Sequence, residues 1–261
     1  MTGVVATIAG AAPSRALLLA ASMLLLQLAI GAANDWADSH LDALARRAKP
    51  IPAGLVPRRA AAWIAGVAAG IGLALAASIG AATLLLASIG LGAGLAYDLR
   101  LKGTRWSWLP YAIGIPLLPL FGWVGAVGSV PPAFAVLLPV AMIAGAALAV
   151  ANALADLERD ERAGAETVAT ILGMTRARRA GALLEALVVV AALGSAVALG
   201  GAPAGIALGI AGAATIGVGV GLGWRRGRPS LQRAWEVQAL GLAFLAAGWV
   251  GSLAAAGRLV G

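Results

Sequence analysis

Residues 34–42 read Asn34-Asp35-Trp36-Ala37-Asp38-Ser39-His40-Leu41-Asp42 and directly follow an uncharged apolar segment, residues 16–33. On an α-helix the spacing of Asp35, Asp38 and Asp42 places the three carboxylates on one face. Like charges on one face repel each other, and carboxylates beside a membrane are costly. The stretch therefore predicts a membrane helix whose polar end needs a cationic partner.

A second acidic group has the same relation to an apolar run. Asn152, Asp156 and Asp160 recur every four residues and close the apolar segment at 133–151. Carboxylate and amide oxygens suit Mg²⁺, which proteins usually hold through a few carboxylates together with substrate phosphates. Two acidic faces at two helix ends thus predict a divalent-metal site.

The composition indicates an all-α, polytopic membrane protein. Of the 261 residues, 61% are hydrophobic and only 11% charged, which is too little polar surface for a soluble domain of this size. The chain has no cysteine and a single histidine, His40, so disulfides, thiolate chemistry, haem and zinc sites are not expected. The net charge of +8 lies in loops between apolar runs, a placement that indicates membrane orientation rather than nucleic-acid binding.

The apolar runs predict one domain, residues 1–261, built as a bundle of about eight to nine transmembrane helices around a central cavity. Eight probable spans lie at residues 16–34, 60–79, 81–96, 108–128, 133–153, 180–199, 203–222 and 235–256. A ninth apolar fragment, residues 2–12, reaches only about half of a hydrocarbon core roughly 30 Å thick, so it is interpreted as a truncated first helix.

Clusters of glycine predict close helix packing within this bundle, because small residues let helix backbones approach each other in lipid. The clusters are Gly66, Gly70 and Gly72; Gly90, Gly92 and Gly94; and Gly217, Gly219, Gly221 and Gly223.

Basic residues alternate between the connections. Seventeen of the nineteen Lys and Arg residues fall in four connections, residues 35–59, 97–107, 154–179 and 223–234, and the turns between them carry none. The positive-inside rule assigns these four connections, and with them both acidic groups, to the cytoplasm. We expect an integral protein of a bacterial plasma membrane with its site on the cytoplasmic side.

Three motifs resemble the UbiA superfamily of intramembrane prenyltransferases over residues 14–261. The first is Asn34-Asp35-x-x-Asp38-x-x-x-Asp42 followed by Lys49-Pro50-Ile51-Pro52-Ala53-Gly54, and the second is Asp156-Leu157-Glu158-Arg159-Asp160. Between them Tyr97-x-x-x-x-Lys102 is similar to the family's Tyr/Lys loop. The pair of acidic motifs at corresponding helix ends is the specific signal, since a single DxxxD is common.

The resemblance implies transfer of a polyprenyl group from a prenyl diphosphate to an acceptor, usually aromatic, with two Mg²⁺ ions binding the diphosphate. In physical terms, metals and nearby cations neutralise the leaving pyrophosphate so that the C1–O bond breaks toward an allylic carbocation. An apolar bundle holds the isoprenoid tail and excludes water, which would capture the cation. The implied partners are the donor, a small-molecule or lipid acceptor and membrane lipids.

The same resemblance implies roles for individual residues. Asp35, Asp38 and Asp42 are expected at one metal, with an amide oxygen from Asn34. Asp156 and Asp160 are expected at the other, with Asn152 one turn deeper in the membrane.

Cations and an aromatic ring complete the expected site. Lys49, Lys102 and Arg159 are candidates to bind the diphosphate. Tyr97 is expected to orient it or to stabilise the carbocation through its ring face. Gln27, Glu185 and Gln238 are further polar residues in apolar runs, and the sequence does not rank them as packing groups or acceptor ligands.

The sequence departs from the family pattern in three places. Its first helix is short, Lys49 stands where the family usually has Arg, and Asp98 follows Tyr97 where a small hydroxyl residue is frequent. Lysine replaces a planar fork by a point charge. An aspartate after the tyrosine alters the charge of the loop and the possible choice of acceptor.

Alternatives from other classes stay open at this point. The same ionisation followed by cyclisation of the prenyl chain would make the protein a lyase that needs no acceptor. A channel or transporter would use the acidic helix ends to bind a permeating cation. Isolated charges at helix ends are also often only solvated caps or local ion pairs. Aromatic acids, tetrapyrroles, sugar phosphates and glycerol-type lipids are all acceptors within the superfamily.

Overall fold

The computed structural model describes residues 1–44, 49–225 and 227–259, and within these ranges the chain is helical and contains no β-strand. Eleven α-helices follow in order: α1 Thr2–Ile8, α2 Pro13–Leu44, α3 Arg58–Ile79, α4 Ala81–Ala96, α5 Leu109–Val127, α6 Phe134–Ala155, α7 Leu157–Arg162, α8 Val168–Leu172, α9 Met174–Ala198, α10 Pro203–Gly223 and α11 Arg228–Ala255. A single π-helical turn, Tyr97–Leu101, continues α4.

The predicted spans are confirmed within the described residues. Eight helical segments are long and apolar enough to cross a membrane, and they correspond to the eight apolar runs of the sequence. The helix α1 has seven residues, which is too short to span, as the length of its apolar fragment predicted. It packs against α2 and α5, and the Thr2 hydroxyl donates to the backbone oxygen of Leu118 at 3.4 Å.

The length of α2 explains how an acidic motif belongs to a membrane helix. Its 32 residues extend about 48 Å, well beyond the roughly 20 residues that a hydrocarbon core requires. The first two-thirds supply the apolar span, and the last turns carry Asn34 to Asp42 past it. After α3 and α4 cross and return, residues 97–102 lie at the same end as this motif. After α5 and α6, residues 152–160 lie there too. We call this the motif end.

Glycine packing is confirmed at some predicted positions and not at others. An added Cβ at Gly72, Gly94 or Gly219 would collide with Leu26, Ile30 or Gln238 respectively, so these glycines do sit at close helix contacts. At Gly66, Gly70, Gly92, Gly217 and Gly221 an added Cβ would meet nothing within 4 Å. Gly90 and Gly223 have only ordinary contacts, near 3.7 Å.

The helices α10 and α11 pack backbone against backbone, and glycines on both helices make the contact. An added Cβ on Gly212 would lie 2.6 Å from the backbone nitrogen of Leu245, and one on Gly241 would lie 2.8 Å from the backbone nitrogen of Ile216. An added Cβ would also meet close neighbours one or two helical turns away, at Gly205, Gly209 and Gly248. Backbone contact of this kind is how helices associate where lipid removes the hydrophobic driving force.

Candidate active site

The first acidic motif divides its carboxylates between two cations. Lys49 Nζ lies 2.8 Å from Asp35 Oδ1 and 2.9 Å from Asp42 Oδ2. Asp38, between them in sequence, instead forms an ion pair with Lys102. Asp42 is 3% exposed, whereas the Asp35 side chain is 40% exposed. The acidic face of α2 is therefore exposed at Asp35 and buried at Asp42. The cationic partners that the charge repulsion predicted are Lys49 and Lys102.

A compact loop holds Lys49 against α2. Its prolines and turns fold residues 49–56 back on themselves, with the Ala53 amide donating to the Lys49 oxygen at 3.0 Å and the Leu55 amide to Pro50 at 3.0 Å. Burial by itself lowers the pKa of the Lys49 ammonium, but the hydrogen bonds and charges of Asp35 and Asp42 outweigh it and raise that pKa above its usual value. Lys49 is therefore a cation at any physiological pH.

The second acidic motif lies where α6 gives way to α7. Asp156 ends α6 with φ −102° and ψ 1°, yet the Asp160 amide still donates to the Asp156 oxygen at 3.0 Å. The break therefore leaves the two carboxylates close enough to share one cation. Arg159 Nη2 lies 3.0 Å from Asp156 Oδ2 and 3.1 Å from Asp160 Oδ1.

The π-helical turn at Tyr97–Leu101 connects the two motifs. Its wide ring is closed by the Lys102 amide, which donates to the Tyr97 oxygen at 2.8 Å. The Lys102 ammonium then donates to Asn34 Oδ1 at 2.7 Å and to Asp38. On the other side, Asn152 Nδ2 donates to the Tyr97 hydroxyl at 3.2 Å. One loop thus touches α2 and α6 at the polar ends of both helices.

A backbone contact fixes this loop against the second motif. The Glu166 amide donates to the Gly103 oxygen at 2.9 Å, and the Ala165 amide donates to the Asp160 oxygen at 2.9 Å. Gly103 and Gly164 have φ of +77° and +65°, values that favour glycine, so both loops turn tightly here.

These side chains surround a chamber of about 880 Å³ that opens at the motif end. At the motif end its polar lining includes Asn34, Asp38, Lys49, Tyr97, Asp98, Lys102, Asn152, Asp156 and Arg159. Deeper in, the walls are apolar and come from α2, α4 and α5. A smaller apolar cavity of about 190 Å³ adjoins it, and Ile115, Leu118 and Leu148 line both.

One side of the chamber lies at the surface of the bundle. Leu24, Gln27 and Gly31 recur along one face of α2, line the chamber and are exposed, with Leu24 70% exposed. In a bilayer that face would meet acyl chains. A long apolar ligand could therefore enter from lipid without crossing the polar end.

The structure brings most of the predicted residues together, with three exceptions. Asp35 and Asp42 lie outside the chamber lining, on the Lys49 side of α2, and Asp160 lines a narrow pocket beneath Asp156 and Arg159. In the part of the chain that the structure describes, no three acidic or histidine side chains converge on a single metal position. Sites with one or two carboxylates, completed by phosphate and water, remain available to Mg²⁺.

Sequence reasoning missed Tyr111 and did not rank three polar residues that the structure distinguishes. Tyr111 packs edge-on against Tyr97, with ring centroids 5.4 Å apart, and no local pattern pointed to it. Gln27 lines the chamber, whereas Glu185 and Gln238 are buried between helices at 2% and 7% exposure. For Gln27 the available signal was its seven-residue spacing from Asn34, which puts both on one helix face.

Comparison with known proteins decides the family. A model of the UbiA prenyltransferase family matches residues 1–248. The chain belongs to the UbiA prenyltransferase family. Within this family the chain is 31% identical over 163 residues to digeranylgeranylglyceryl phosphate synthase of Pyrococcus abyssi, a match that covers 60% of this chain and 56% of that protein. It is 33% identical over 87 residues to the bacteriochlorophyll synthase 33 kDa chain of Rhodobacter capsulatus, a match that covers 32% of this chain and 28% of that protein. The chain thus spans little more than half of the archaeal relative.

Solved structures of UbiA homologues share the fold. The apo homologue from Aeropyrum pernix superposes with a TM-score of 0.78 at 22% identity, covering 95% of this chain and 93% of that one. A homologue from Archaeoglobus fulgidus bound to GPP and Mg²⁺ gives a TM-score of 0.69 at 19% identity, and the match covers 93% of this chain and 92% of that one. The predicted all-α membrane bundle with a central cavity is therefore confirmed.

Proposed function

We propose that this UbiA-family chain transfers a prenyl group from a prenyl diphosphate to a lipid-pathway acceptor, with Mg²⁺ as cofactor. The observation that carries the proposal is the meeting of both acidic motifs across the polar end of an apolar chamber of about 880 Å³. A diphosphate needs the polar end, and a polyprenyl tail needs the apolar walls. Neither a soluble substrate nor a permeating ion requires a polar end and apolar walls in the same chamber.

The donor set fits Mg²⁺. Five motif carboxylates face three cations, Lys49, Lys102 and Arg159, so two negative charges remain uncompensated if all are ionised. Oxygen donors with excess negative charge select hard divalent cations. Asn34 and Asp38 would hold one ion and Asp156 the other, with Asp35, Asp42 and Asp160 beside them. Bound Mg²⁺ would neutralise charge on the leaving diphosphate.

The three cations would bind diphosphate oxygens directly. Lys49, Lys102 and Arg159 all line the chamber, and each holds a carboxylate at hydrogen-bond distance. When the motif carboxylates ligate metal, these ammonium and guanidinium groups can turn to the diphosphate. Charge-assisted hydrogen bonds to phosphate are about twice as strong as neutral ones.

Tyr97 would stand beside the reacting carbon. Asn152 donates to its hydroxyl and the Tyr111 ring contacts it in a T-shaped arrangement, so the ring has little freedom to rotate. A fixed aromatic face stabilises a neighbouring cation electrostatically. The apolar walls below it would hold the tail and keep water from the allylic cation.

The names of the relatives bear on the acceptor. The archaeal relatives from Pyrococcus and Thermococcus are digeranylgeranylglyceryl phosphate synthases, whose product carries two prenyl groups on glyceryl phosphate. This supports a hydroxyl of a prenylated glyceryl phosphate as the nucleophile, ahead of an aromatic acid. The exposed face of α2 at Leu24 supports entry of such an acceptor from the bilayer.

The proposed location is a bacterial plasma membrane with the motif end in the cytoplasm. The described parts of the four basic connections lie at the motif end, which the positive-inside rule assigns to the cytoplasmic face. Donor diphosphate and Mg²⁺ would then reach the chamber from the cytoplasm.

The test is an assay of the purified chain in detergent or nanodiscs. It would contain geranyl or geranylgeranyl diphosphate, Mg²⁺ and, in separate reactions, geranylgeranylglyceryl phosphate and 4-hydroxybenzoate. We expect diphosphate release coupled to a prenylated acceptor, and loss of both in chelator. A cyclised hydrocarbon formed without acceptor would favour the lyase alternative, and no diphosphate release at all would contradict the proposal.

A further inference from the structure

Asp98 is a carboxylate of the chamber that belongs to neither acidic motif. It is the second residue of the π-helical turn, between Tyr97 and Lys102, and it lines the chamber with them. Its Oδ2 atom is buried and has no hydrogen-bond partner among the residues that the structure describes. A buried oxygen without a partner is costly, so it indicates a missing hydrogen-bond donor.

The charged groups around Asp98 are occupied elsewhere. Lys102, Asp38, Lys49 and Asp35 are the charges within its electrostatic reach. Lys102 pairs with Asp38 and Asn34, and Lys49 pairs with Asp35 and Asp42. No ion pair of the described residues includes Asp98. Its carboxylate is therefore free to receive a donor from a ligand in the chamber.

Prenyl transfer to an acceptor hydroxyl releases a proton, which a group near the acceptor oxygen has to accept. After the C1–O bond breaks, its electron pair leaves with the diphosphate, and a lone pair on the acceptor oxygen forms the new bond to C1. The O–H bond then breaks, its electrons stay on the acceptor oxygen, and a proton has to leave. The apolar walls offer no group that accepts a proton, so a basic side chain at the polar end, within hydrogen-bond reach of the acceptor oxygen, is suited to take it.

We propose that Asp98 accepts this proton and orients the acceptor hydroxyl through its unpartnered oxygen. This rests on the proposed function. The motif carboxylates are poor candidates because each is held by Lys49, Lys102 or Arg159 and serves the diphosphate end.

The experiment measures two products in one reaction. The purified full chain is given geranylgeranyl diphosphate, Mg²⁺ and geranylgeranylglyceryl phosphate, or 4-hydroxybenzoate if the wild type uses that acceptor. Diphosphate release and prenylated acceptor are quantified together, with free geranylgeraniol as the product of water capture. The variants are Asp98→Asn, Asp98→Ser and Asp98→Glu, and the matched control is Glu158→Gln, an exposed acid of the nearby helix α7.

We expect Asp98→Asn and Asp98→Ser to lower acceptor prenylation by about 100-fold or more, the usual contribution of a positioned base. Diphosphate release should stay at the wild-type level, with geranylgeraniol replacing the prenylated acceptor. Asp98→Glu should recover part of the transfer, and Glu158→Gln should behave like wild type. Continued diphosphate release also shows that the variants are folded.

Two results with the Asp98 variants would overturn the assignment. If Asp98→Asn transfers prenyl groups at the wild-type rate, another group takes the proton. If diphosphate release falls equally, or needs more Mg²⁺, Asp98 acts on the metal or the diphosphate instead. A wild-type chain that releases diphosphate but prenylates no acceptor would refute the proposed function, and this assignment with it.

Discussion

The Lys102 ammonium lies 2.7 Å from the side-chain oxygen of Asn34, a residue 68 positions earlier in the chain. The same ammonium forms an ion pair with Asp38, one turn further along α2. Because Lys102 follows directly on the π-helical turn, this contact ties the end of α4 to the polar end of α2. It places a cation over the first acidic motif at the mouth of the chamber.

Loss of Lys102 should affect donors of every chain length alike. Lys102→Ala removes a contact to the polar head that all prenyl diphosphates share, so kcat/KM should fall about 10- to 100-fold for both geranyl and geranylgeranyl diphosphate. This corresponds to one charge-assisted contact of about 1.5–3 kcal/mol. If the variant were selective for chain length and still inhibited normally by pyrophosphate, Lys102 would be shaping the acceptor pocket instead.

A substitution in the chamber wall that narrows the space for the prenyl tail should discriminate between donors by tail length. Gly114 lines the chamber, and a Cβ added there meets nothing within 4 Å, so Gly114→Leu fills cavity space without displacing a helix. We expect geranylgeranyl diphosphate to lose about tenfold more kcat/KM than geranyl diphosphate, since overpacking costs roughly 1–3 kcal/mol. Gly217→Leu, also without a neighbour within 4 Å but on the exposed face of α10, is the control. Gly94 is a poorer choice because its added Cβ collides with Ile30.

Neutralising one carboxylate of either motif should stop the reaction at the diphosphate. Asp38→Asn and Asp156→Asn should each lower diphosphate release by about 100-fold or more, as expected when metal-held transition-state charge is lost. Excess chelator should have the same effect on the wild type, and Glu158→Gln should not. Full activity in chelator would rule out the metal role of both motifs.

The stability of the bundle should depend on the glycine contact between α10 and α11. Gly212→Ala drives a methyl group against the backbone of Leu245, so we expect a loss of about 1–3 kcal/mol and a lower unfolding temperature in detergent. Gly217→Ala on the same helix meets nothing, and its higher helix propensity should leave stability unchanged or slightly raised. Equal melting temperatures for the two variants would show that α10 and α11 do not pack through Gly212.

The orientation can be read from thiol labelling, because the natural chain has no cysteine. Glu161→Cys, an exposed position of α7 at the motif end, should react with an impermeant maleimide only after intact cells are permeabilised. Ser129→Cys, exposed at the other end, should react in intact cells. Ser39 is unsuitable although it lies at the motif end, because it is buried at 6% exposure. The reverse pattern of labelling would place the motif end outside.

Local chemistry along the chain was enough to predict the helices and the position of the acids. Apolar runs of helix length define the spans because lipid cannot satisfy free backbone groups, and a three- or four-residue spacing puts carboxylates on one face whatever surrounds them. The motif end could be predicted as well, since the number of crossings between Asp38, Tyr97 and Asp156 follows from counting spans. These properties depend on neighbours in sequence.

Which cation meets which carboxylate was decided only by the tertiary structure. Lys49 binds Asp35 and Asp42 while Asp38 turns to Lys102, a division that depends on where a loop and a π-helical turn end in space. For the same reason Gly219 is a helix contact and Gly217 is not, and Tyr111 supports Tyr97 without any motif of its own. Such pairings join residues from different helices, and the relative rotation and depth of two helices come from packing over their whole length rather than from either sequence alone.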